Sequence, residues 1–482
     1  MNPSSATLAP EERLADADIT AAIELLFRMK KGVSAHFIHV ATDRGLVKLT
    51  GSTTSLLSRE RAEEIAKAVR GVRGVINELL VRTPVVPDAD LLSNVEKALA
   101  QDPATADYNV RCFVHDGTVL TEGTVQSWAE QQLVLQVLKS VHGVRQIENR
   151  LHIRGGELTN SDDEITAQIR ALLEWDIRVK STLVTVRTDH GVVHVAGTVG
   201  TAAERDHVLA VAYMAGATRV EARDLFVAYW ALDKELRNQK FASKADEDIA
   251  QAIRDMFGYD PRVRAFEPGA HVSVHDGVAT LSGVVSSLAA KRAAGEDAAN
   301  VVGVFDVRNL LQVRAYYPSP DAAIQRNIKA ALARDAFVGH YGFTVNVSNG
   351  KAQLYGTVHS HSDQERAEDV AAGVNGVIEV DNHLQVFAAE HFTPAVAAIG
   401  EGDVPIHLEN IEPDHVLEKR LRNHYYWSAR LHDQDINLLI RDGRVTLTGT
   451  VDSLIDRKTA ATEAYACGAR DVNNHLHLRG AA

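Results

Sequence analysis

The chain has 482 residues, is 45% hydrophobic and carries a formal charge of −13, so it can bury sizeable cores but lacks the basic balance that general nucleic-acid binding needs. The same charge opposes non-specific attraction of the whole chain to an anionic membrane. Two cysteines, Cys112 and Cys467, exclude a repeated disulfide framework, no run of about 18 apolar residues reads as a membrane span, and the first ten residues lack the basic and apolar regions of a secretory signal.

One pattern then recurs along the chain: Gly, five residues, Gly, three residues, Ser or Thr. The copies are Gly45/Gly51 with Ser55, Gly117/Gly123 with Ser127, Gly191/Gly197 with Thr201, Gly277/Gly283 with Ser287, Gly350/Gly356 with Ser360, and Gly443/Gly449 with Ser453. Length alone would suggest roughly three domains of about 150 residues. The repeat overrides that and makes the chain a tandem array of six small domains, at 13–82, 88–154, 161–228, 244–314, 319–387 and 412–480. Units this small are marginally stable alone.

Within a copy the elements run in a fixed order, here read in the sixth. Residues 413–424 form a charged, partly apolar helix. Ile436 to Ile440 is a strand, and Asp442-Gly443 is a type I′ hairpin turn, where glycine supplies φ > 0. The returning strand alternates, with Val445, Leu447, Gly449 and Val451 on one face. The second glycine therefore sits on the core row, and a crossing helix that leaves no room for a Cβ would explain it. Ser453 is placed to cap the next helix, which stops near Gly468, and a last strand carries Asn474. The corresponding asparagines are Asn77, Asn149, Asn309 and Asn382, while the third copy has Ala222-Arg223-Asp224 instead. The fold class is thus α+β: six α-β-β-α-β domains, each a three-stranded sheet with two helices on one face. The other sheet face is half polar and is a candidate surface for packing between repeats.

These residues carry a resemblance. Asp116-Gly117 to Gly123-Thr124-Val125, and Gly143-Val144 to Asn149-Arg150-Leu151, resemble the BON family (bacterial OsmY and nodulation domain). The resemblance implies a non-catalytic protein of osmotic or envelope stress, with phospholipid as a ligand of some members. Family members typically carry one to three copies and an export signal. The N-terminus here points instead to a cytoplasmic protein, peripheral at most at the inner membrane.

Between copies, three junctions are short and suggest fixed neighbours. Residues 229–243, with Trp230, read as a helix running into copy four, and 388–411 as a connector that lets copy six move separately or bind elsewhere on the array. Histidines offer weak chemistry. His115 and His275 precede Asp-Gly turns, His359 and His361 frame a helix start, and His475 and His477 alternate on the last strand. A polar turn or strand surface explains each better than a metal. Cys112 and Cys467 read as small core residues. No catalytic residue, metal site or cofactor is assigned.

The aromatic–basic ends of the first helices are more informative. Phe27, Arg28, Lys30 and Lys31 close that of copy one, and Lys419 and Arg420 precede Tyr425, Tyr426 and Trp427 in copy six. Such residues dock on phospholipid headgroups, or else pack in a core with a solvated basic edge. The leading expectation is a multivalent binder of phospholipid surfaces, in which weak sites add through avidity. The alternatives are a self-assembling homo-oligomeric scaffold and a chaperone-like module that binds other proteins.

Overall fold

The computed structural model describes residues 14–29, 33, 37–154, 161–179, 181–233, 240, 244–264, 269–315, 319–387 and 413–479. Each copy is α-β-β-α-β. In copy six the order is helix Asp414–Trp427, strands Asp435–Arg441 and Arg444–Val451, helix Leu454–Ala466 and strand Asp471–Leu478. The hairpin strands pair antiparallel, and the last strand lies parallel to the central one, with Leu447 opposite both Leu438 and Asn474. The second strand is central in all six sheets, and in copy four the last strand is broken into Asp306–Asn309 and Gln312–Val313, both parallel to it.

The hairpin, cap and stop signals all appear. Both central turn residues have positive φ in every copy, from Arg44 (49°) and Gly45 (76°) to Asp442 (51°) and Gly443 (72°). Ser55, Ser127, Thr201, Ser287, Ser360 and Ser453 each accept a backbone N–H three residues on, which satisfies an orphan donor at the helix start. Gly71, Gly143, Gly216, Gly303, Gly376 and Gly468 follow the second helices with φ between 84° and 102°.

The asparagines are structural ties. Asn382 Nδ2 donates to Gln364 O (3.1 Å) on the second helix, and its Oδ1 accepts from Leu384 N (3.1 Å). Asn474 makes the same two bonds to Arg457 O and Leu476 N. Copy three, which lacks the asparagine, has a register break between His194 and Ala196, and Arg205 reaches from the helix to Ala222 O and Leu225 O.

Three expectations are corrected. First, the second glycine is not set by a crossing helix. A Cβ on Gly449 would stand 2.0 Å from Asp435 O, and its φ is +117°. Gly51, Gly123, Gly197 and Gly283 meet the same obstacle, the carbonyl of the residue just before the one opposite on the first strand. Gly356 in copy five meets it less closely: a Cβ there would stand 2.9 Å from Gly342 O and 3.5 Å from the Leu384 side chain, at a φ of +146°. The nearest obstacle at Gly356 is again backbone, just before the first strand, and not a helix. Second, among the described residues the outer sheet faces stay open rather than packing against other repeats as the half-polar pattern suggested. Leu46, Phe113, Phe226, Leu310, Phe387 and Leu439 are exposed there, and the copies join through their helices. Third, Tyr229–Leu232 is one 3₁₀ turn separate from the copy-four helix Asp246–Tyr259; the rest of that junction lies largely outside the described residues, as does the connector.

A feature with no local signature closes each unit. The first helix always begins with aspartate, and its carboxylate accepts both N–H groups of the hairpin turn. Asp414 takes Asp442 N (3.0 Å) and Gly443 N (2.9 Å). Asp16, Asp88, Asp162, Asp246 and Asp321 repeat the clasp. These N–H donors hold the Asp162 and Asp246 carboxyls below their ordinary range.

The chain folds back on itself, so copies pair one with six, two with five and three with four. Each pair shares a short antiparallel bridge between the ends of helices: Val69 with Ser428, Val141 with Asp335, and Asp176 with Val301. The first helices of each pair also touch, while the second helices pack within each half of the chain. Copies three and four merge their cores, from Ile169 and Val193 to Ile253 and Leu281.

Gly449→Ala is expected to destabilise the chain by about 2 kcal/mol or more, because it forces alanine into positive φ against a carbonyl. Amide exchange should rise in the Asp435–Arg441 hairpin, while the second helix of copy six keeps its protection. Faster exchange in the helix alone would contradict the carbonyl explanation.

Candidate functional site

The seam between copies one and six gathers most of the aromatic candidates. Arg70 N donates to Trp427 O (3.1 Å), and Ala429 N to Ala68 O (3.2 Å). The Arg70 side chain is 6% exposed. Its guanidinium lies 5.0 Å from the Tyr229 ring centroid and 4.9 Å from that of Tyr426, within cation–π range. Nη1 donates to Tyr426 O (3.2 Å), while Nε is buried without a partner.

The predicted residues separate here. Phe27 and Tyr425 are core residues, 2% and 7% exposed, and Tyr425 donates its hydroxyl to Ala460 O at 2.6 Å. Burial there pushes the Tyr425 hydroxyl up. Trp427 packs against the copy-one core, and Met29 of copy one against the copy-six core. Tyr426 stays 48% exposed and meets Trp427 edge to face at 5.3 Å. Lys419 is exposed. Arg420 Nη1 donates to Cys467 O (2.9 Å), and Arg28 Nε to Glu24 O (3.3 Å). Lys30 and Lys31 lie outside the described residues. Arg70 and Tyr229 were missed by the sequence reading. The one available signal was that the residue before the helix-stop glycine is arginine only in copy one.

The histidine candidates remain at the surface or in packing. His275 Nδ1 is 3.6 Å from Asp276 and 4.0 Å from Asp246. Asp246–His275–Asp276 and Asp162–Asp189–His190 bring possible ligand atoms within 4.8 Å of one another. In both clusters the clasp carboxylate already accepts two backbone N–H groups. His361 packs on Tyr465 of copy six (4.4 Å) and His359 on Tyr341 (5.2 Å). His475 and His477 lie on the last strand of copy six, exposed. Cys112 and Cys467 are buried free thiols, and burial pushes Cys112 up to about 11, which suppresses its thiolate.

Several clefts open where copies meet, and two of them each involve three copies. One, of about 770 Å³, lies among the second helices of copies one to three. Trp128 and Tyr213 stack across it at 5.7 Å, and Lys67 bridges Glu63 (2.5 Å) and Asp206 (2.6 Å). The other, of about 380 Å³, lies among copies two, four and five, lined by Arg262, Arg292, Arg334, Arg366 and several carboxylates. Arg366 binds Asp335 there at 2.6 Å. Close by, Asp176 accepts from Arg178 (2.7 Å) and His207 (2.6 Å). Lys240 donates to Leu173 O and Asp176 O, and burial brings its ammonium down to about 8. These groups are consumed by one another; Lys67 ties copy one to copy three, and Lys240 ties the junction after copy three back to that copy.

Asp297 is the exception. Its Oδ2 is buried without a hydrogen-bond partner. Burial, with Asp260 nearby, raises its carboxyl well above the usual value, against the pull of Arg262 and Arg178, and Glu296 also faces it. A raised carboxyl contributes stability that is fully present below about pH 4, the ordinary value, and is lost as pH rises through the folded value. Asp297→Asn should therefore raise the melting temperature at pH 8 and change it little at pH 4. A difference that does not vary with pH in thermal melts would show that Asp297 is not held protonated.

Small modules joined helix to helix, with seams and clefts between them, define a multi-domain α+β assembly. The chain belongs to the BON domain family, which matches residues 15–83, 87–155, 161–224, 245–315, 320–387 and 413–480. It is similar to Osmotically-inducible protein Y of Escherichia coli (strain K12), at 29% identity over 143 residues, covering 28% of this chain and 71% of that protein. Among solved structures it aligns with CdsD, a structural protein of the Type III secretion system of Chlamydia trachomatis, at 15% identity over 49% of this chain and 97% of that one. The C-terminal domain of CdsD aligns at 14% identity over 47% and 99%. The TM-scores, 0.13 and 0.12, are too low to carry any argument. Among the described residues no helix is long and apolar enough to cross a membrane.

Proposed function

We propose that this BON-domain protein is a non-catalytic, multivalent binder that docks peripherally on phospholipid surfaces under osmotic stress. The likeness to Osmotically-inducible protein Y supports the stress setting. The observation that carries the docking surface is the copy one–six seam. Tyr426 stands 48% exposed there and with Tyr229 completes the Arg70 stack, and Trp230, next in the chain to Tyr229, is 47% exposed. Half-exposed Tyr and Trp suit a boundary that is apolar on one side and wet on the other. One such seam binds weakly, and additional contacts from other copies add through effective concentration.

Purified full-length protein should float with anionic vesicles, more strongly at low salt than at physiological salt. The Tyr426→Ala/Trp230→Ala variant should float several-fold less while keeping its sedimentation coefficient. Protein that stays at the bottom in every lipid and salt condition would end this reading.

A second reading, self-assembly, is favoured by the exposed Leu80 (61%), Leu310 (63%) and Phe387 (62%) around the outward sheets. It requires a sedimentation coefficient that rises with concentration; a constant monomer value would remove it.

A further inference from the structure

We propose that the outer sheet face of copy six is a binding site for a phosphate monoester, formed by Arg441 and Arg444 beside Arg470. Arg441 and Arg444 flank the Asp442-Gly443 turn and stand directly opposite each other across the hairpin. Like charges in that relation repel. The corresponding pairs in the other copies are Asp43–Leu46, His115–Thr118, Asp189–Val192, His275–Val278 and Ser348–Lys351. None of them sets two fixed cations together.

Several outer-face charges elsewhere are neutralised in place. Lys48 pairs with Glu78 (2.9 Å), Arg150 with Glu122 (3.8 Å) and Lys351 with Glu379 (2.5 Å). Among the described residues, the guanidiniums of Arg441 and Arg444 have no hydrogen bond or ion pair. Asp471 lies beside Arg444 in the parallel register, but its Oδ1 accepts from Val472 N at 2.9 Å. The third arginine is anchored by its backbone, since Arg470 N donates to Gly443 O at 2.9 Å. All three line one open concavity of about 570 Å³ with Leu439, Thr446 and Asn473.

The chemistry follows from these groups. A guanidinium offers a planar fork of donors that fits two oxygens of one phosphate. The two open forks of Arg441 and Arg444 each seek two oxygens, which the three terminal oxygens of a monoester serve better than the two of a diester. Thr446 and Asn473 supply further donors, and Leu439, 53% exposed, gives an apolar contact for the body that carries the phosphate. On a chain of net charge −13, this is a local site rather than part of a general basic surface. It is also separate from the copy one–six seam. The turn is clasped to the start of the helix Asp414–Trp427, and the seam lies at its end, about 20 Å away.

The test uses the full chain with glycerol phosphate, and separately with vesicles that contain phosphatidic acid. Glycerol phosphate should raise the melting temperature of the wild type, more strongly above about pH 6, where a phosphate monoester gains its second charge. The Arg441→Gln/Arg444→Gln variant should fold at least as stably, because a repulsion is removed, and should bind about tenfold or more weakly. Arg444→Lys, which keeps the charge but loses the fork, should fall between. Binding to both probes, or to glycerol phosphate alone, supports the site, the latter assigning a soluble ligand; binding to the vesicles alone, abolished in the double variant, assigns a lipid headgroup. Equal responses of wild type and double variant, or no response to either probe, overturn it. The Tyr426→Ala/Trp230→Ala variant should retain glycerol phosphate binding, so either site can fail without the other.

Discussion

Every copy depends on one carboxylate. A type I′ turn leaves two N–H groups pointing out of the hairpin, and the aspartate that opens the first helix accepts both. Asp16 at Arg44 and Gly45 does what Asp414 does at Asp442 and Gly443. The contact fixes where the helix begins relative to the sheet. The far end of the helix then arrives at a set place, and in each pair the bridge joins the end of one copy's first helix to the end of its partner's second helix. The clasp is local, yet the arrangement of copies follows from it. The stretch just past a helix has carbonyls with no partner inside the helix, and a neighbouring copy supplies N–H donors to them. Arg70 N finds Trp427 O, and His142 N finds Arg334 O.

Signals that act over a few residues could be read from the sequence. Turn glycines, the Ser or Thr cap and the asparagine tie each sit within one element or at its edge, and six repetitions made them plain. The clasp was hidden because its aspartate lies 28 to 31 residues before the turn it serves, and an acidic helix start is common for dipole reasons alone. The steric reason for the second glycine was mistaken, from Gly51 to Gly356 and Gly449, because a strand pattern gives the face of a residue and not what stands opposite its α-carbon. Phe27 and Tyr425 looked like surface aromatics beside basic residues. In fact helix periodicity carries them inward with Ile23 and Leu421, and only Tyr426, one position on, turns out. Which copies meet could not be read, because it depends on pairs of helix ends that share no pattern with each other.

Charge is distributed unevenly over this body. Carboxylates gather where second helices converge, and burial lifts Glu64, Glu296, Glu365 and Asp369 above their ordinary range. Arginines answer some of them: Arg292 holds Asp369 and Glu368 from the neighbouring copy. The sheets face the other way and present mixed apolar and polar surfaces, with only part of their charge paired. The assembly thus keeps its acidic strain inside and leaves outward faces that differ from copy to copy although the fold beneath them is the same.

The nested pairing of copies also has a consequence in time. As the chain leaves the ribosome, copies three and four can join as soon as both have emerged, then two with five. Copy one, the first made, can set its second helix against copies two and three early, but it lacks its pairing partner, copy six, until the last residues appear. About 360 residues separate Arg70 from Tyr426, which at 5–20 residues per second is a delay of roughly 20 to 70 s. For that interval the side of copy one that will hold Trp427 stays open, so the oldest part of the molecule is the last to be sealed.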